Sequence, residues 1–83
     1  MLIEVSREDI ELGEPMVADR CPLSRALQRS LNVPKVYVHL NTWSTDGYDR
    51  RNLPAEAIDF LNRFDFGCCV SPFTFEVDYE VCA

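Results

Sequence analysis

Eighty-three residues leave room for one domain, residues 1–83, built around one core. The chain is 47% hydrophobic with nine aromatic residues, which excludes a disordered segment, and no apolar run approaches the ~20 residues that span a bilayer. A formal net charge of −6 argues against direct nucleic-acid binding, which draws its affinity from neutralised phosphates.

From the N-terminus, Ile3 and Val5 alternate with polar neighbours, so residues 2–6 read as a short strand. Ser6 is placed to cap one helical turn, which Gly13 and Pro15 interrupt. Residues 14–20 read as a loop. Pro22 opens a helix, because its missing N–H costs nothing at the first helical position. Leu23, Ala26, Leu27 and Leu31 form its buried stripe, Arg25 and Arg29 lie on its exposed side, and Asn32 and Pro34 end it. Residues 35–43 read as one strand, with Val36, Val38 and Leu40 on one face and Tyr37, His39, Asn41 and Trp43 on the other. Asp46-Gly47 signals a hairpin, with residues 48–51 returning as a short strand.

Pro54 opens a second helix in the manner of Pro22. Ala57, Ile58, Leu61 and Phe64 make its stripe, Asp59 and Arg63 form an i,i+4 pair, and Gly67 fits the left-handed position past its end. The last strand has the clearest pattern: Phe73, Phe75, Val77, Tyr79 and Val81 alternate with Thr74, Glu76, Asp78 and Glu80. The sum is an α+β domain of order β-α-β-β-α-β. Two helices pack on one face of a small, mainly antiparallel sheet.

The residue types speak against catalysis. His39 is the single histidine, on an alternating strand, and the three carboxylates of the last strand are spaced as a solvated face requires. Gly13, Gly47 and Gly67 make no phosphate loop. No catalytic residue and no cofactor is expected. The N-terminus lacks a signal peptide's basic start and long apolar stretch, so the expected compartment is the cytoplasm and Cys21, Cys68, Cys69 and Cys82 are expected as reduced thiols. Adjacent Cys68 and Cys69 and an isolated Cys21 do not have zinc-ligand spacing, so no metal site is expected. Cys21 has one distinctive feature: beside Arg20 at a helix N-terminus, both the helix dipole and the positive charge favour its thiolate. The plainer reading is a small residue that closes the helix start.

Charge separates two candidate surfaces. Residues 1–19 and 52–83 each hold six acids and one base, while residues 20–51 hold six bases and two acids. In the basic middle, Arg20, Arg25, Arg29, Arg50 and Arg51 with Tyr37, Trp43 and Tyr48 could hold a nucleotide-like or phosphorylated ligand. The plainer reading is that these arginines pair with the acidic flanks. Glu76, Asp78 and Glu80 form the second surface, an acidic stripe that suits a basic protein face, or simply a charged strand that discourages strand pairing. A chain this short also gains from association, so a homo-oligomer belongs among the partners considered.

Several motifs recur in a familiar order. They are Glu8-Asp9-Ile10 followed by Gly13, then Cys21-Pro22-Leu23 leading into Arg25-Ala26-Leu27, then Leu53-Pro54. Arg63-Phe64-Asp65, Gly67 and the run Val70-Ser71-Pro72-Phe73-Thr74-Phe75-Glu76 complete them. In these the chain resembles a family of small uncharacterised proteins encoded by bacteriophages and prophages. Cys68-Cys69 and the tail after Val77 lie outside the pattern. The resemblance transfers no activity and no site residue. It implies only a context, an accessory protein of a phage. Small size, acidic flanks and the lack of an active site then make binding a host protein or complex the expected action, with antagonism of a CRISPR-type or restriction-type defence as the tendency of that class.

Overall fold

The computed structural model describes residues 1–46 and 49–78. Its order is β1 (Leu2–Val5), α1 (Arg7–Leu12), α2 (Pro22–Leu31), β2 (Tyr37–His39), β3 (Thr42–Ser44), β4 (Arg51–Asn52), α3 (Ala55–Asp65) and β5 (Phe73–Glu76). The fold is α+β with antiparallel pairing throughout. The strands divide into two sheets, however: β1 pairs with β5, and β2, β3 and β4 form a separate three-stranded sheet. Among the described residues no helix is long and apolar enough to cross a membrane.

The two-stranded sheet closes the chain on itself. Ile3 sits opposite Phe75 and Val5 opposite Phe73, so one face carries the apolar residues of both strands. Phe75 and Val77 are buried and Thr74, Glu76 and Asp78 are exposed, as period two requires. Tyr79, Glu80 and Val81 lie outside the described residues. Phe73 stacks on Phe60 at 4.6 Å between ring centroids, joining α3 to β5. Helix α2 buries its Leu23, Ala26, Leu27 and Leu31 stripe and packs against β1, α1 and β2.

Helix boundaries have local causes. Asn32 takes a left-handed conformation (φ 55°) and ends α2. Pro54 sits one position earlier than Pro22 does, as the N-cap of α3, and its carbonyl accepts from the N–H groups of Ala57 and Ile58 at 3.1 Å each. Gly67 has φ 78° just past α3, and the N–H of Cys68 donates back to the Arg63 carbonyl at 2.9 Å.

Residues 35–43 are not one strand. A two-residue turn at Leu40 and Asn41 folds β3 back on β2, placing Trp43 directly opposite Val38. The alternation therefore restarts after the turn, and Trp43 joins Val38 in the core at 1% exposure. Of the expected hairpin, Gly47 and Tyr48 lie outside the described residues, while β3 and β4 on either side pair antiparallel.

The cap at Ser6 is a full capping box. Its hydroxyl accepts from the Asp9 N–H at 3.2 Å, and the Asp9 carboxylate accepts from the Ser6 N–H at 2.9 Å. Asp9 is buried, and the fork of Arg29 donates to both its oxygens at 2.7 and 2.8 Å. Burial alone would raise the Asp9 pKa, but hydrogen bonds from Arg29 and Ser6 outweigh it and hold the carboxyl below its ordinary value. Asp9→Asn is expected to cost about 2–3 kcal/mol at neutral pH, moderated because Arg29 stays half exposed to water. A lowered folded pKa contributes stability above the unfolded value and loses it as pH falls through the folded one. Urea unfolding of both proteins should therefore show a gap that is full at pH 7 and narrows as acid protonates Asp9.

Gly13 caps the end of α1 and packs against Pro22, the first residue of α2. A Cβ built there would stand 2.7 Å from the Asp9 carbonyl oxygen and from the ring of Pro22. Gly67, with open space around it, requires glycine only for its φ. Thermal melts should show Gly13→Ala costing about 1–3 kcal/mol by steric displacement and Gly67→Ala about 1 kcal/mol by backbone strain.

Candidate functional site

Residues 14–20 join α1 to α2 and are held at several points. The Glu14 N–H donates to the Arg20 carbonyl at 2.8 Å, which closes the loop on itself. The Ala18 carbonyl accepts from the Val38 N–H at 2.9 Å, tying the loop to β2. On the other side the Met16 N–H donates to an Asp65 carboxylate oxygen at 3.0 Å, tying it to α3.

Between these ties lies an open cleft of about 430 Å³. The loop contributes Met16, Val17 and Ala18 to its lining, and the β2 end contributes Val38, His39 and Leu40. Helix α3 adds Leu61, Asn62 and Asp65, and Cys21 and Arg50 complete it. The volume falls in the range of small-molecule and side-chain pockets, and apolar side chains dominate the lining.

Two of these residues are unusual in the same way. Met16 is 82% exposed at φ 62°, and Leu40 is 83% exposed at φ 39°. Left-handed backbone costs a non-glycine residue about 1–2 kcal/mol, and an exposed side chain recovers none of it by burial. The chain thus holds two large apolar groups out to solvent beside one cleft, at a cost. Sequence reasoning misses both. Met16 falls in a segment that reads as loop, and the alternation puts Leu40 on the buried face of a strand that in fact ends at His39.

Cys21 is the N-cap of α2. Its Sγ accepts from the Ser24 N–H at 3.4 Å, and the Ser24 hydroxyl donates to the Cys21 carbonyl at 2.8 Å. Of the two readings of Cys21, the structure agrees with the plainer one and not with the thiolate. The residue is 2% exposed, and burial pushes its thiol pKa up, with the negative charge of Asp65 adding to the rise despite the Ser24 hydrogen bonds. Desolvation outweighs the helix end, and Cys21 closes the helix start as a small packed residue. Cys68 and Cys69 are exposed, and Cys82 lies outside the described residues. Among the described residues no group of three His, Cys, Asp or Glu side chains could hold a metal ion.

The basic and aromatic candidates are not gathered on one surface. Arg29 binds Asp9 and also donates to the Glu4 carbonyl at 2.8 Å. Arg25 turns the same way, its Nε 3.7 Å from an Asp9 oxygen. Arg20 pairs with Glu14 at 3.4 Å and Arg51 with Asp49 at 3.5 Å. The Arg51 guanidinium also lies 5.9 Å from the Trp43 ring centroid, over a ring that is otherwise in the core. Tyr37 is half-buried and Tyr48 is outside the described residues. Arg50 is exposed and lines the cleft.

The acidic candidates Glu76 and Asp78 are exposed, with Glu80 outside the described residues. Glu76 lies 3.3 Å from the N-terminal ammonium. The β1–β5 register adds Glu4 to the same outer sheet face, with Leu2 opposite Glu76.

No family model matches the chain, and neither a curated protein nor a solved structure does.

Alkylation of the native protein with iodoacetamide, followed by peptide mass analysis, should label Cys68 and Cys69 well before Cys21. Labelling of Cys21 at a comparable rate would show that its thiol is accessible and activated after all.

Proposed function

We propose that the chain is a non-enzymatic accessory protein that binds a protein partner through the cleft between residues 14–20, the β2–β3 turn and α3. The observation that carries this reading is the pair Met16 and Leu40, both exposed and both in left-handed backbone, on the lining of one apolar cleft. Strain of this kind clusters at ligand clamps, where a bound partner covers what the free protein leaves exposed. The resemblance to phage-encoded proteins supports a host protein as the partner, met in the cytoplasm of the infected cell. A CRISPR-type or restriction-type defence complex is the first candidate. Such complexes carry basic nucleic-acid grooves, and the exposed carboxylates Glu4, Glu76 and Asp78 would favour approach to a basic surface.

Sequestration of a nucleotide-like ligand by residues 20–51 has less support. Arg25 and Arg29 face Asp9, Arg20 meets Glu14, and Trp43 is in the core.

The test is retention of host protein from lysate at low salt, with Leu40→Asp as the discriminating variant. The wild-type chain should retain a host protein, and Leu40→Asp should lose it while keeping its circular dichroism and melting temperature. Equal retention by the variant, or none by the wild type, would remove the proposal.

A further inference from the structure

Resting on the cleft as the binding site, we propose that its occupant is an apolar side chain standing next to a carboxylate in a partner protein, with Arg50 receiving the carboxylate. The apolar half follows from the walls, where Val38, Leu40, Leu61 and Met16 offer the kind of surface that an aliphatic or aromatic group covers.

The charged half follows from how the cleft's ionisable groups are engaged. One oxygen of Asp65 accepts the Met16 N–H at 3.0 Å, so this carboxylate holds the wall in place. Arg50 is exposed and, among the described residues, has neither a hydrogen bond nor an ion pair, unlike Arg20, Arg25, Arg29, Arg51 and Arg63. A planar guanidinium with its donors unspent beside an apolar cleft recognises an anion, and a carboxylate matches its fork. Asp65 in the same cleft selects against a doubly charged group such as a phosphate, because each added negative charge meets its field. A second copy of this chain is a poorer occupant, since two molecules of net charge −6 repel.

The chain contains two methionines, which makes the test direct. Met16 lines the cleft, and Met1 is held by Glu76 and Val77 at the β1–β5 sheet. With 13C-methyl methionine incorporated, the full-length protein is titrated with an acetylated, amidated pentapeptide Gly-Leu-Phe-Asp-Gly and with its Asn and Lys counterparts. The Met16 methyl should shift and saturate while Met1 stays in place. The Asn peptide should bind about threefold more weakly and the Lys peptide more weakly still. Arg50→Gln, a change at an exposed and unpaired position, should erase the difference between the Asp and Asn peptides.

Equal binding of all three peptides, or a difference that survives Arg50→Gln, would overturn the carboxylate while leaving the cleft as the binding site. A Met16 methyl that responds to none of them would overturn the cleft as well. Sedimentation of a wild-type dimer that Leu40→Asp converts to monomer would assign the cleft to a second copy and overturn the proposal.

Discussion

A buried carboxylate organises this small domain. Asp9 has its charge out of water, a placement that costs several kcal/mol unless hydrogen bonds replace the lost hydration. Here they do. The Ser6 N–H reaches one oxygen from the start of α1, and the Arg29 fork spans both oxygens from α2. The same guanidinium continues to the Glu4 carbonyl of β1. One side chain thus fixes the relative positions of the first strand and the first two helices. Gly13 lets those helices meet closely enough for Arg29 to arrive, since a Cβ there would strike Pro22.

The loop after α1 depends on that arrangement. With α1 and α2 fixed, residues 14–20 start and end at set points, and their ties to Val38 and Asp65 stretch them between β2 and α3. The Gln28 amide adds a hydrogen bond to the Asp19 carbonyl at 3.1 Å from within α2. Such a loop can hold Met16 in a conformation the residue would not adopt alone, because the surrounding bonds determine it. The β2–β3 turn presents Leu40 to the same cleft. Strain placed at two points of the cleft is balanced by order elsewhere, and here much of that order comes from the Asp9–Arg29 pair.

Local patterns are legible in the sequence, and long-range ones are not. The Ser6 cap, the α2 stripe, the Gly67 terminus and the alternation from Phe73 through Asp78 each depend on neighbours a few residues away. The turn at Leu40 and Asn41 contains neither glycine nor proline, and Leu40 continues the preceding alternation, so the break is hidden. The division into two sheets depends on β1 meeting β5 from the far end of the chain. The basic middle is visible as composition. Its use inside the fold is not, because Arg29 and Asp9 are separated by 20 residues. Cys21 shows how sign can reverse: its position argues for a thiolate, and its burial, which the sequence leaves open, argues more strongly against one.

The claim that Asp9 and Arg29 act as one unit is open to a double-mutant cycle. Urea unfolding at neutral pH would be measured for the wild type, Asp9→Asn, Arg29→Met and the double variant. The Asp9–Arg29 pair predicts a coupling energy of about 1.5–3 kcal/mol, with the second substitution costing little once the first is made. Single losses that add to the double loss within about 0.5 kcal/mol would contradict it and show that the two residues contribute independently.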